Sequence, residues 1–314
     1  MPAVVIGGSA GALDPLRTIV SELPPEFSAA VFVVIHVPAS SVSALPHILA
    51  RAGALFATHA IDRAPVAPGR IIVAPPDRHL ILEDHIMRSV VGPTENNHRP
   101  SIDVLFRSAA ATFGAATCGV LLSGTLDDGV AGLDAIRRAG GATFAQDPEE
   151  AEFADMPANA IAAGVVEGIY PAARLAFAIA EWLKRPVVPK IAGRLPPDER
   201  RAGAPSVFTC PDCGGTLWEL DEGGVLRFRC RTGHAYTAHS MLAAQENRLE
   251  TALWTATRAL EERRDMLARL ARRARAVDDS TMLSRYERQS REVEADLERL
   301  HAALGGLLTS ANPA

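Results

Sequence analysis

The feature that most constrains the fold is a set of short, unbroken apolar runs separated by helix-like segments. AVVI (3–6), VFVVI (31–35), RIIVA (70–74), CGVLL (118–122), ATFA (142–145) and the stretch around Val165-Val166 have strand length and do not alternate with polar residues. A strand with one wet face alternates, whereas a strand covered on both faces reads as a continuous apolar run. Between the runs, Leu13, Leu16, Ile19, Val20 and Leu23 share one helical face, and Asp14-Pro15 suits a first turn. Ser101 is placed to cap a helix that turns Ile102, Leu105, Phe106 and Ala109 inward. HLILEDHIMRSV (79–90) reads instead as a hairpin turning near Glu83-Asp84. The expectation for residues 1–184 is an α/β fold, doubly wound around a mostly parallel sheet in three layers.

Composition narrows the function classes. With 48% hydrophobic and 22% charged residues, the 314-residue chain is ordinary for a globular protein. A net charge of −5 argues against nucleic-acid or anionic-membrane binding, which needs a basic surface. No apolar run reaches the ~18–20 residues that span a bilayer, so no direct membrane insertion is expected. Met1-Pro2-Ala3 leads straight into the first strand, so no signal peptide is expected and the cytoplasm is the default compartment. Residues 185–206, rich in proline, glycine and basic side chains without periodicity, read as a linker.

An open parallel sheet presents its chemistry at the carboxyl ends of its strands. Here the first strand ends in Gly7-Gly8-Ser9-Ala10-Gly11, the second in His36-Val37-Pro38, and the strand through Leu122 in SGTLDDG. The first fits G-x-S-x-G, in which small neighbours let a serine stand exposed on a sharp strand-to-helix turn. Serine needs a base, and His36 ends a strand expected beside the first. The base needs a carboxylate, and Asp127 and Asp128 both offer one. On pattern alone, Ser9 could equally belong to a phosphate-cradling turn or a plain structural turn. G-x-G-x-x-G and GK[ST] are, however, both missing there.

These residues carry a resemblance. IGGSAGALDPLR, VVIHVP, APGRIIVAPPDRHL, HRPSIDVLFRSAA, GVLLSGTLDDGVAGLDAIRRAGG and AQDPEEAEFADMP, in this order and spacing, make residues 3–183 similar to the catalytic domain of the chemotaxis protein-glutamate methylesterases (CheB-type). The resemblance implies hydrolysis of glutamate γ-methyl esters on chemoreceptors, often with deamidation of receptor glutamines. It implies Ser9, His36 and Asp128 as the catalytic triad, Asp128 being preferred to Asp127 because it directly precedes the glycine. Backbone N–H groups of Ala10 and Thr125 are the implied oxyanion donors, and Arg99 is a candidate for framing the site or for a structural ion pair. The chain departs from the family at Ala10, where Thr is common, at SGTL in place of TGMG, and at Asp155 before Met-Pro. With the catalytic strand starting at residue 3, the receiver domain of many members is expected to be absent. The rival readings are a non-catalytic signalling adaptor and a serine hydrolase for another ester or amide.

Of the four cysteines, Cys118 lies in an apolar run and reads as a buried small hydrophobe. Cys210, Cys213, Cys230 and His234 give C-x2-C-x16-C-x3-H, the spacing of a closed, structural zinc site, so residues 207–238 are expected to form a zinc ribbon. No metal is expected for catalysis. From about 239 to 310, Leu249, Leu253, Ala256, Leu260, Leu267 and Leu270 follow helical spacing. After VDDST, Leu283, Tyr286, Val293, Leu297, Leu300 and Leu304 follow it again. Residues 241–301 carry twelve arginines and twelve acidic residues, a balanced outer face rather than a basic patch. A helical hairpin with a coiled-coil-like seam is expected, serving as a contact for a coiled-coil partner or a second copy, or packing only on its own ribbon.

Overall fold

The structure, a computed structural model, describes residues 1–40, 42–186, 203–222 and 224–310. Seven parallel strands form the main sheet: β1 (Ala3–Gly8), β2 (Ala30–Ile35), β3 (Phe56–His59), β4 (Arg70–Val73), β7 (Thr117–Leu121), β8 (Ala142–Gln146) and β9 (Gly168–Tyr170), in the order β3-β4-β2-β1-β7-β8-β9. The strand runs work as the sequence requires. Val4 and Ile6 enter one core with Val31 and Val33, while Ala3 and Val5 enter the other with Phe32 and Val34. Helices α1 (Leu13–Ser21), α2 (Leu45–Ala52) and α6 (Ala172–Leu183) cover the first face through Leu16, Ile19, Leu49, Leu175 and Ile179. Helices α3 (Ile102–Phe113), α4 (Val130–Arg138) and α5 (Asp155–Ala162) cover the second through Phe106, Leu133, Ile136 and Met156. Chain order reverses at β1, which lies between β2 and β7, and that is where a doubly wound sheet opens its crevice.

The 79–90 stretch forms β5 (His79–Glu83) and β6 (Ile86–Val90), joined through Asp84 and His85 at φ 49° and 63°, the two left-handed residues of a tight hairpin turn. Two strand expectations need correction. The strand expected around Val165-Val166 lies at Gly168–Tyr170 instead. Val165 is buried, but its N–H returns to Ala160 O after Gly164 turns with φ 68°, so it closes α5 rather than pairing in the sheet. Edge strand β3 carries Thr58 and His59, and without an apolar run it left no signal.

β10 (Ala204–Thr209) begins inside the stretch read as linker; residues 187–202 of that stretch lie outside the described residues. With β11 (Thr216–Glu222), β12 (Val225–Cys230) and β13 (Ala235–Thr237) it makes a four-stranded antiparallel sheet. The turn expected at Gly223-Gly224 falls between β11 and β12, although Gly223 itself lies outside the described residues. Contacts divide the chain into Met1–Met241, which contains all three sheets of the described residues, and Leu242–Ala314. In the second unit, α7 (Ala238–Ala276) and α8 (Ser280–Ser310) pack through Leu260, Leu267, Tyr286, Val293 and Leu297.

Candidate active site

Ser9 follows β1 directly and is held from both sides. Gly8 pairs with Ile35, and the His36 N–H donates to Gly8 O at 3.2 Å, so His36 stands one residue beyond the paired strand ends, beside Ser9. On the other side the Ser9 N–H donates to Ser123 O at 2.9 Å. Gly7 is needed because α3 comes close: a Cβ there would lie 2.3 Å from Ile102 Cγ2. That contact brings the start of α3 up against the Ser9 turn. Ser9 is half-buried and Ala10 exposed.

The His36 Nε2–H donates to Asp128 Oδ2 at 2.8 Å, with the two side chains 6% and 2% exposed. Asp128 also caps α3 from a distant part of the chain. Its Oδ2 accepts the Ile102 N–H at 2.7 Å, and its Oδ1 accepts the Asp103 N–H at 3.1 Å, the Ser101 hydroxyl at 2.9 Å and Asn96 Nδ2 at 2.8 Å. Ser101 occupies the N-cap position, yet its side chain serves the aspartate rather than the helix. Burial alone would raise the Asp128 pKa. The hydrogen bond and charge of His36, the charge of His98 and the Asn96 hydrogen bond outweigh it and hold the carboxyl well below its usual range. A carboxylate only accepts, so the neutral tautomer that fits this bond has its proton on Nε2 and its lone pair on Nδ1. Nδ1 is buried without a hydrogen-bond partner among the described residues, so it is not hydrogen-bonded to the Ser9 hydroxyl in this structure.

Of the remaining sequence candidates, Ala10 and Thr125 are both exposed at the lip of the strand ends. Gly124 presses that lip together, since a Cβ there would meet Ser9 Cβ at 2.9 Å and Met156 Cε at 2.7 Å. Arg99 is committed to Asp77 Oδ1, through Nε at 2.8 Å and Nη2 at 2.6 Å, and to Gly92 O. It also lines an open groove of about 510 Å3 with His36, Pro38, Asp77, Thr94 and Asn97. Asp127 faces away from His36 and accepts from Thr237, Ser240 and His239. Three residues near the triad escaped the sequence reading. His98 stacks on His36, Asn96 grips Asp128, and Asp103 shares Asn96 Nδ2 at 2.9 Å. His98 stands in the HRPS motif and could have been found there; Asn96 carries no local signal.

The chemistry open to this arrangement is proton abstraction from Ser9 followed by acyl transfer. The model of the CheB methylesterase family matches residues 4–179. This chain belongs to that family. The CheB relatives include a protein-glutamate methylesterase/protein-glutamine glutaminase of Anaeromyxobacter dehalogenans, 36% identical over 57% of this chain and 52% of that protein. One from Rhodospirillum rubrum is 37% identical over 56% and 49%. A relative named putative protein-glutamate methylesterase/protein-glutamine glutaminase, from Leptospira interrogans, is 36% identical over 55% of this chain and 91% of its own length. The chain spans about half the length of the first two. The crystal structure of the Thermotoga maritima CheB methylesterase catalytic domain superposes with a TM-score of 0.56 at 30% identity, covering 57% of this chain and 97% of that one.

Two donor clusters could be considered for a metal. His36, His98 and Asp128 offer ligand atoms within 4.8 Å of one another, but both Asp128 oxygens are already occupied by the donors named above, so this CheB cluster suits proton transfer. Beyond the CheB match, the side-chain donors of Cys210, Cys213, Cys230 and His234 also lie within 4.8 Å of one another. Cys213 Sγ and Cys230 Sγ are 3.7 Å apart, and His234 Nδ1 lies 3.6 Å from Cys210 Sγ and 3.5 Å from Cys230 Sγ. A tetrahedron with Zn–S of about 2.3 Å and Zn–N of about 2.0–2.1 Å has edges of about 3.8 and 3.6 Å. The donor set fits.

Proposed function

We propose that the CheB domain of this chain is a serine esterase that hydrolyses glutamate γ-methyl esters on chemoreceptor-like signalling proteins and deamidates glutamines at such sites. The observation that carries the reading is His36, bound to a buried carboxylate through Nε2, with a free lone pair on Nδ1 beside the Ser9 turn. In the proposed reaction Ser9 passes its hydroxyl proton to His36 Nδ1 as Oγ bonds to the ester carbonyl carbon. The carbonyl electron pair moves to oxygen, where the N–H groups of Ala10 and Thr125 stabilise it. The oxyanion collapses, the C–O bond to the methoxy group breaks, and methanol leaves with the proton from His36. Water then gives a proton to His36, attacks the acyl-enzyme and releases the glutamate carboxylate while Ser9 regains its proton. With glutamine the leaving group is ammonia.

The test is methanol release from methylated receptor by the wild-type chain and by Ser9→Ala. The proposal requires release by the first and none above background by the second. Ester hydrolysis without action on the receptor would instead identify a hydrolase of other esters, and failure of a fluorophosphonate to label Ser9 would identify an adaptor.

The tetrahedral spacing of Cys210, Cys213, Cys230 and His234 supports a structural zinc. Asp212 Oδ2 lies 3.8 Å from His234 Nε2, on the side away from the thiols. A closed four-ligand site leaves no coordination position for substrate, so zinc supplies folding rather than catalysis. Metal analysis should find one zinc per chain, lost in Cys213→Ser. No helix among the described residues is long and apolar enough to cross a membrane, and thiolate ligands suit the reducing cytoplasm as the working compartment. Exposed Leu242, Leu249 and Met266 on α7 support a role for the helical pair in meeting a receptor coiled coil or a second copy. Unchanged receptor capture after removal of residues 242–314 would dispose of that role.

A further inference from the structure

The ribbon sheet reaches the carboxylate of the triad through one side chain. Asn96 is buried, and its carboxamide is divided between Asp128 and Asp103 on one side and Thr237 of β13 on the other. Nδ2 donates to Asp128 Oδ1 at 2.8 Å and to Asp103 Oδ2 at 2.9 Å, while Oδ1 accepts the Thr237 N–H at 2.9 Å. The amide has one workable orientation. Turned over, it would set its oxygen against two carboxyl groups and its NH2 against the Thr237 N–H. The backbone holds it as firmly: Asn96 N donates to Ala235 O at 2.8 Å and Ala235 N to Thr94 O at 3.3 Å, so residues 94–96 run beside β13.

Neighbouring contacts repeat the connection. Asp127, adjacent to Asp128, accepts the hydroxyls of Thr237 at 2.5 Å and Ser240 at 2.8 Å. Glu95 pairs with Arg107 of α3 at 2.6 Å and with Arg227 of β12 at 3.2 Å. Thr94 donates to Asp212, which lies between Cys210 and Cys213, and His234 directly precedes β13.

We infer that β13 is part of the catalytic framework of this protein and that Asn96 is the positioning residue through which the metal-binding ribbon fixes Asp128. The triad carboxylate is thus held by two parts of the chain. Its own domain supplies the α3 N-terminus, and a module beyond the CheB match supplies the Asn96–Thr237 link. Loss of metal from His234 frees the segment that leads into β13, and the Asp128–His36 pair loses the brace behind it. Turnover then depends on the loading of a site that touches no substrate. The inference rests on the esterase reading, and its test separates the two.

The experiment uses the full chain as wild type, Asn96→Ala, Thr237→Val and Thr237→Ser, each checked for wild-type circular dichroism. Two readouts are taken: methyl-ester kinetics, and the low-field proton resonance of the His36 Nε2–H bound to Asp128. A misplaced catalytic group costs about 10²-fold, so Asn96→Ala should lower kcat by about that factor with KM unchanged. Thr237→Val keeps the N–H bound to Asn96 but removes the hydroxyl that ties β13 to Asp127, so it should lower kcat and shift or broaden the resonance, and Thr237→Ser should restore both. Stripping the wild type with 1,10-phenanthroline should reproduce the Thr237→Val behaviour, and added zinc sulfate should reverse it. A resonance unmoved in Asn96→Ala, in Thr237→Val and after stripping overturns the inference whatever the activity. If the resonance responds as expected but the wild type hydrolyses no ester, the esterase reading falls and the positioning link stands.

Discussion

The imidazole of His98 lies flat against that of His36, with ring centroids 3.6 Å apart and planes 7° from parallel. The stack fixes the plane of the base while the Asp128 bond fixes its rotation within that plane. His98 is itself anchored, because its Nδ1–H donates to Asn96 O at 2.6 Å. Burial, and then the charge of His36, push the His98 pKa down and so favour its uncharged form.

The stack should therefore act through its shape. His98→Ala, which frees the His36 ring, is expected to lower kcat for methyl-ester hydrolysis by about 10-fold or more through lost orientation. His98→Phe retains a flat face and should stay within about threefold of wild type by the same argument. Steady-state kinetics at neutral pH distinguish them, and equal losses in both variants would show that the ring serves as a proton carrier rather than as a support.

Asp128→Asn tests the double duty of the aspartate. An amide there loses the anion that orients His36, a change that costs about 10⁴ in kcat in the serine-protease triad. It also points an NH2 toward donors at the start of α3, so the melting temperature should fall alongside activity. Asp127→Asn removes no partner of His36, but it weakens the contact with Thr237 and Ser240 that holds β13, so it should shift the low-field resonance as Thr237→Val does while costing far less activity than Asp128→Asn. Thermal melts and kinetics of the two variants side by side make the comparison.

How far the sequence carried differs from element to element. The continuous apolar runs sufficed for the sheet because both faces are covered, and the strand ends then pointed to Ser9, His36 and the pair Asp127 and Asp128, between which only the family resemblance chose. β3 was invisible because an edge strand needs few apolar residues. The Val165 stretch misled because a buried helix end is as apolar as a strand. Ser101 misled in another way: N-cap residue types were read correctly, but the cap comes from Asp128, twenty-seven residues on. Asn96 was unreadable, since both of its partners come from distant segments and no spacing rule links positions 96, 128 and 237. The knuckle spacing picked out four donor side chains that do cluster, while the docking of their sheet against Asp127 and Asn96 needed coordinates.

Glu95 predicts the acid limb of stability. Burial by itself would raise its pKa, but the charges of Arg107, Arg227 and Arg229 bring it down to about 2 from an ordinary 4.5. A carboxyl depressed by folding stabilises the native state above its unfolded pKa, and that contribution is lost as pH falls through the folded value. The window is thus about pH 4.5 down to about 2, and the size roughly 3 kcal/mol at ~1.4 kcal/mol per unit. Glu95→Gln should be less stable than wild type near neutrality and should show a flatter dependence of unfolding free energy on pH across that window. Urea titrations at pH 7, 5 and 3 measure both effects, and parallel curves for the two proteins would remove Glu95 from the account.

Gly124→Ala probes how tightly the lip of the crevice is built. The added methyl would stand 2.9 Å from Ser9 Cβ and 2.7 Å from Met156 Cε. Met156 ends in a flexible thioether and can withdraw, whereas Ser9 is fixed by its N–H bond to Ser123 O and cannot. The Ser9 hydroxyl should therefore move relative to His36 Nδ1 while the sheet beneath stays intact. The expected result is a loss of about 10²-fold in kcat, with fluorophosphonate labelling of Ser9 slowed to match and the melting temperature changed by only a few degrees. If labelling stays at the wild-type rate, the contact between Gly124 and Ser9 does not set the position of the nucleophile.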